Sequence, residues 1–338
     1  MIQHLLEINK IVKDDLCIKM KIQGNTDVIR NTKKTPESDK IMNVSGNEAG
    51  TESGCDQTGV IYEKSDLNEL KYQTYNADGT VSGVSPASAS SSDRSIQIAL
   101  MNLGFYTGDI DGNLTSASMK KAIGNFQTVY GLTKNGVMDQ STKSKLDLVD
   151  SFRNRAASIV SENQGTDVIK DLNPVERKNF ANIWTFLRLE MKVDAMHASA
   201  IMANMKAESW FSSNNLQDEN GNITHHDPDY KYEVSDKKGY GIMQWTEESR
   251  KQGLQDEAEA MGLKPGDLNV QLAYFRTEMT SDMYCKREWT NFNAIKTLVS
   301  ATDYFLNYIE MPSADEVANS KEKRREYADQ IYQLMYKL

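Results

Sequence analysis

Ala195-Met196-His197-Ala198-Ser199-Ala200-Ile201-Met202-Ala203-Asn204-Met205-Lys206-Ala207-Glu208-Ser209-Trp210 is the stretch on which the reading of this chain turns. Asp194 stands in front of it as an N-cap, and no Gly or Pro interrupts it. Its small central residues let neighbouring helices approach closely, which predicts a buried central helix. Glu208 lies at the far end, followed by Trp210-Phe211. The negative end of the helix dipole and apolar neighbours both disfavour a carboxylate, so a raised pKa is expected there. A carboxyl kept protonated near neutral pH is suited to donate a proton to a leaving oxygen.

The flanks extend this pattern. Upstream, Asn173-Pro174 is a cap followed by Pro at the first helical position. Phe180, Ile183, Trp184, Leu187 and Met191 then recur on one apolar face. Downstream lies Gly239-Tyr240-Gly241-Ile242-Met243-Gln244-Trp245, whose glycines permit a turn closed to other residues. Ile242 and Met243 read as buried, and Gln244 supplies an amide able to hold a sugar or orient an acid. A lone glutamate near a helix end is most often a solvated residue; its combination with Gly-Ile-Met-Gln is far more specific.

That combination resembles the goose-type lysozyme and lytic transglycosylase superfamily, and more closely the phage tail lysozyme family. The residues that carry the resemblance are Ile183-Trp184, Leu187, Ile201–Ser209, Tyr240–Thr246, Arg250, Asp267-Leu268, Gln271-Leu272, Ala301-Thr302, Phe305 and Tyr308-Ile309-Glu310-Met311-Pro312, spanning roughly 178–335. The resemblance implies Glu208 as the catalytic acid, with Gln244, Tyr240, Met243 and Trp245 binding substrate. It also implies an α+β lysozyme-like domain over 173–338. Goose-type enzymes carry an Asp two residues after the motif Gln, where this chain has Thr246, so the base that activates water is not identified. Hydrolysis and intramolecular transglycosylation both stay open.

Between the two motifs, Asn220-Gly221 reads as a hairpin turn. Asp227, Asp229, Glu233 and Asp236 are the candidate second carboxylates of this segment; Asp218 and Glu219 lie there too. His225-His226-Asp227-Pro228-Asp229 lacks the spacing of a helix-borne metal pair and reads as a solvated loop. His197 reads as a satisfied core residue. Trp210, Tyr230, Tyr232, Tyr240 and Trp245 are divided between a sugar cleft and core. No metal and no cofactor is expected.

Residues 94–148 form a second unit of three short helices joined by tight glycine turns, the last helix running from Asp139 to Leu146. Ile96-Gln97, Leu100, Leu103-Gly104-Phe105-Tyr106-Thr107-Gly108, Asp111-Gly112, Phe126-Gln127, Gly131-Leu132, Asn135-Gly136-Val137, Thr142 and Leu146 resemble the common peptidoglycan-binding domain of cell-wall hydrolases. Most of these positions are of the kind that builds the fold. Residues 85–93 (Ser-Ala-rich) and 149–172 read as linkers. Residues 1–84 are partly disordered by composition, with a weak strand pair over 5–22 and a hairpin about Asp78-Gly79.

The whole therefore reads as a mainly α, multidomain chain. A net charge of −9 over 338 residues argues against a nucleic-acid partner. It also gives no attraction to an anionic wall, so wall binding rests on shape and stacking. Cys17, Cys55 and Cys285 form no disulfide framework and no metal pair. No signal-peptide core or membrane span is read. The expected function is peptidoglycan hydrolysis of the muramidase type by a phage or prophage endolysin or virion-associated lysin. The alternatives are a lytic transglycosylase, or a tail or injection-device component whose wall modules only bind. Expected partners are bacterial peptidoglycan and, through residues 1–84, phage tail or injection-device proteins. Synthesis in the host cytoplasm is expected, with action at the wall after holin release or from a virion.

Overall fold

The computed structural model describes residues 60–62, 72–74, 91–217, 223–224, 230–312 and 314–338. These residues hold eleven α-helices and very little strand, so the protein is mainly α. Strands β1 (Val60–Tyr62) and β2 (Tyr72–Thr74) pair antiparallel, with Ile61 opposite Gln73. Tyr72–Thr74 thus pairs with a strand upstream of it; the expected Asp78-Gly79 turn lies outside the described residues, as do residues 5–22.

The first helical unit comprises α1 (Ser91–Asn102), α2 (Ala117–Val129) and α3 (Gln140–Glu162). Its core is Leu100, Leu103, Met119, Ile123, Phe126 and Leu146, all essentially solvent-free. The expected glutamines brace its turns. Gln97 accepts from the Gly112 N–H (2.6 Å) and donates to Asp111 Oδ1 (2.7 Å). Gln127 accepts from the Asn135 and Gly136 N–H groups (2.9 Å each) and donates to Asn135 Oδ1, the Val137 carbonyl and Thr142 Oγ1. Gly136 has φ +68°, and a Cβ there would meet the Lys120 carbonyl at 2.9 Å, so only glycine fits this turn.

The last helix of this unit does not stop at Leu146. It runs on to Glu162, because Val149, Ala156 and Val160 continue one buried face. The stretch 149–172, expected as a linker, is helical over most of its length: α3 fills its first part, and α4 (Asp167–Lys170) buries Val168 and Ile169. Likewise α1 begins inside the expected 85–93 linker, at Ser91.

The remaining helices are α5 (Pro174–Leu189), α6 (Ala195–Ser209), α7 (Glu248–Met261), α8 (Leu268–Ser281), α9 (Met283–Asn293), α10 (Leu298–Phe305), a π-helical turn (Leu306–Glu310) and α11 (Ala314–Met335). Asn173 and Glu176 form a reciprocal capping box at the start of α5, with Pro174 in the first turn. Phe180, Ile183, Trp184 and Leu187 are fully buried on its inner face, with Met191 half-buried beyond it. Helix α6 is the buried centre, with α5, α10 and α11 packed around it. Its small residues Ala198, Ala200 and Ala203 are solvent-free.

The expected α+β character reduces to little among the described residues. Strands β3 (Leu216–Gln217) and β4 (Ile223–Thr224) pair antiparallel, and single bridges join Leu216 to Tyr240 and Tyr240 to Trp245. The two strands are two residues each, too short for a sheet that shapes the domain.

The two helical units are docked on each other. Arg276 on α8 donates to the carbonyls of Thr128 (2.9 Å) and Val129 (2.8 Å) at the end of α2, and pairs with Glu190. Asn269 donates to the Leu103 carbonyl (3.1 Å), and Lys121 and Lys134 donate to the carbonyls of Gly262 and Ala260. Tyr130 meets Phe186 edge to face. No helix among the described residues is long and apolar enough to cross a membrane.

Candidate active site

Glu208 sits in the last turn of α6, and the structure brings it to the Gly-Ile-Met-Gln turn. Ser209 Oγ donates to the Met205 carbonyl (2.9 Å) and the Ile242 carbonyl (3.3 Å), fastening the helix end to that turn. Asn215 bridges the two more directly. Its side-chain amide nitrogen donates to the Glu208 carbonyl (3.3 Å), and its backbone carbonyl accepts from Gln244 Nε2 (3.2 Å) and the Gly241 N–H (2.8 Å).

The turn is strained into place. Gly241 has φ +77°, and a Cβ there would lie 2.5 Å from Gln271 Nε2. Gln271 is fully buried, accepts from the Ile242 N–H (3.0 Å), and donates to the carbonyls of Ser213 and Pro265. Gln244 itself adopts φ +46°, and its Nε2 also donates to the Gly241 carbonyl (2.9 Å). Its amide N–H groups therefore brace the turn.

The other expected sugar-contacting residues lie deeper. Met243 is 1% exposed and Trp245 is fully buried, with its indole N–H given to Glu278 (3.2 Å). Tyr240 is 6% exposed and packs against Tyr230 and Tyr232 at centroid distances of 5.2 and 5.1 Å. Met243 and Trp245 are thus packed into the interior beneath the turn. Glu278 also accepts from Arg250 Nε (2.6 Å) and its terminal nitrogen (3.0 Å), so a buried bidentate ion pair supports Trp245 from below.

The surroundings of the Glu208 carboxylate differ from the sequence expectation. The Trp210 ring lies 3.4 Å from Lys206 Nζ, and Phe211 meets Phe180 edge to face. Arg324, from α11, donates to Glu208 Oε1. Arg324 is 4% exposed and is itself anchored by Asn204 Oδ1 (3.0 Å), the Asn204 carbonyl (3.4 Å) and Ser320 Oγ (3.1 Å).

A further carboxyl, Glu310, closes the π-helical turn. Its Oε1 is buried and meets no hydrogen-bond partner. Burial first, then the charge on Glu208, push its carboxyl well above the usual range; Arg324 and Arg250 oppose this without offsetting it.

Among the candidate second carboxylates, Asp236 is committed. It pairs with the fully buried Lys251, accepts from Tyr230 Oη, and accepts from the Lys238 N–H (2.9 Å). Burial alone would raise its pKa, but these hydrogen bonds hold it below the usual carboxylate range. Glu233 is exposed and accepts only from Ser235 (3.2 Å) among its described contacts. Asp227 and Asp229 lie outside the described residues, as do His225, His226 and the Asn220-Gly221 turn. His197 is a satisfied core residue: Nδ1 meets Asp194 (2.8 Å) and Nε2 meets the Phe292 carbonyl (3.1 Å). Burial pushes the Cys285 thiol up to about 12, which makes it a poor nucleophile.

Arg324 and Glu310 are the two residues the sequence reading did not single out for the site. Arg324 sits in the charged run Lys321-Glu322-Lys323-Arg324-Arg325-Glu326, which looks solvated. The signal is its phase: Arg324, Ala328, Ile331 and Met335 fall on one helical face, and all four are buried. Glu310 was visible only as part of the Glu-Met-Pro tail.

Comparison with known families gives two matches. Residues 178–335 match the family model described as "Phage tail lysozyme", and residues 90–146 the model described as "Putative peptidoglycan binding domain". The chain carries a phage tail lysozyme domain preceded by a peptidoglycan-binding domain. The two matches point to action on the bacterial cell wall, with peptidoglycan as the ligand. No curated protein and no solved structure matches the chain.

Proposed function

We propose that the chain is a muramidase-type peptidoglycan hydrolase that cuts the β-1,4 bond between N-acetylmuramic acid and N-acetylglucosamine, with Glu208 as general acid. The observation that carries this reading is the fastening of the Glu208 helix end to the Gly-Ile-Met-Gln turn through Ser209 and Asn215. In this reading Glu208 protonates the leaving oxygen and Gln244 positions the sugar through the amide oxygen its bracing N–H groups leave over. The binding domain keeps the enzyme on its insoluble substrate. The protein acts as an endolysin or virion-associated lysin.

Lytic transglycosylation is the second reading, and one observation favours it. Asp236 is held by Lys251 and Tyr230, so it is not free to activate water. Mass spectrometry of digested peptidoglycan separates the two. Reducing ends on the products support hydrolysis, anhydro ends support transglycosylation, and undigested wall contradicts both.

A further inference from the structure

Arg324 stands in a charged run of α11 whose other cations are engaged elsewhere. Arg325 and Lys321 pair with Asp303, and Lys323 pairs with Glu326. Arg324 turns inward, and all three of its guanidinium nitrogens donate there. Nη2 donates to Glu208 Oε1, Nη1 to Asn204 Oδ1 (3.0 Å) and the Asn204 carbonyl (3.4 Å), and Nε to Ser320 Oγ (3.1 Å). Asn204 and Glu208 lie one turn apart on α6, so the planar fork spans that turn and ties the carboxylate to it.

Asn204 is held in its turn. It is solvent-free, and its Nδ2 donates to the carbonyls of Ala200 (2.9 Å) and Thr302 (3.3 Å). A connected set of hydrogen bonds therefore runs from α10 through Asn204 and Arg324 to Glu208. A glutamate side chain turns about several bonds, whereas a general acid must be aligned with the oxygen it protonates. The fork engages Oε1 and not Oε2. Oε1 stays an acceptor when a proton sits on Oε2, so the bond suits the acid form. When that proton leaves, the charge on the carboxylate meets a cation already in place.

We propose that Arg324, anchored by Asn204, is a positioning residue that orients the Glu208 carboxyl so that Oε2 presents its proton to the glycosidic oxygen. This rests on the reading of Glu208 as the acid. Lysine at this position keeps the charge and loses the fork, since an ammonium is a point charge without the planar geometry that holds Asn204 and Glu208 together.

The test is kcat and KM of the full chain on solubilised peptidoglycan strands, for the parent, Arg324→Lys, Asn204→Ala and Glu208→Gln. Each is assayed at a temperature at which circular dichroism shows it folded. Misplacing a reacting group by about 1 Å can cost about 10²-fold, so Arg324→Lys is expected to lower kcat by about 10- to 100-fold, with KM changed less than about threefold. Asn204→Ala leaves the ion pair and removes its anchor, and is expected to lower kcat by about 3- to 10-fold with a similar KM. An Arg324→Lys enzyme with the parent kcat, or one whose loss lies in KM, overturns the proposal. Should Arg324→Lys not fold, Asn204→Ala decides by the same two criteria. An active Glu208→Gln overturns the reading of the acid, and this proposal with it. An inactive Glu208→Gln beside a fully active Arg324→Lys leaves that reading standing and overturns the positioning role alone.

Discussion

The binding domain and the lytic domain differ in the charges they bury. In the binding domain the key buried groups are neutral amides. Gln97 and Gln127 are solvent-free, and both ends of each amide are hydrogen-bonded to the turn it braces. The lytic domain braces its turn with a buried amide too, Gln271, and adds charges: Glu208 with Arg324, Glu278 with Arg250, Asp236 with Lys251, and Glu310 with an oxygen left over. A satisfied neutral amide is a cheap way to fix a turn. A buried ion pair stabilises little beyond an apolar replacement, yet breaking it is expensive. The amides fix turns, and the ion pairs fix the side chains around Glu208 and Trp245.

This contrast predicts a ranking of stabilities. Glu278→Ala strands Arg250 and frees the Trp245 indole. It is expected to cost about 3–5 kcal/mol, read by urea unfolding of the full chain. Gln127→Ala strands two backbone N–H groups and is expected to cost about 1–3 kcal/mol. If the amide substitution proves as costly as the charged one, the contrast between the two domains breaks.

Much of this was legible in the sequence where the signal is local. The Asn173-Pro174 cap, the apolar face of Phe180, Ile183, Trp184 and Leu187, and the turn glycines each depend on neighbours a few residues away. Glu208 and the Gly-Ile-Met-Gln turn were legible as motifs. What escaped was long-range partner choice: Arg324 reaches Glu208 across 116 residues, and nothing in a charged run says which arginine turns inward. The burial of Met243 was legible, but the full burial of Trp245 was not, since the direction a glycine turn folds depends on Gln271 beneath it. The length of α3 was readable in Val149, Ala156 and Val160, but their polar surroundings disguised it.

Smaller in effect is the pH dependence of Lys206. Burial drives this lysine down to about 8, while in the unfolded chain it keeps an ordinary value. Between about pH 8 and 10 the unfolded state therefore binds more protons than the folded one, so this group makes stability rise with pH in that window. Lys206→Met should flatten that rise in urea titrations across the window. A rise that persists unchanged would show that Lys206 keeps its charge against the Trp210 ring at no cost.

The central claim, that the charged site exists to serve Glu208, is tested most directly by comparing Glu208→Gln with Gln244→Ala in the full chain on purified peptidoglycan. Both turnover and melting temperature are measured. Glu208→Gln is expected to lose on the order of 10²–10⁴-fold in kcat and to melt below the parent, because Arg324 loses its anion, while Gln244→Ala loses less activity. If Glu208→Gln retains more activity than Gln244→Ala, with both proteins folded at the assay temperature, Glu208 is not the acid and the account of this site is contradicted.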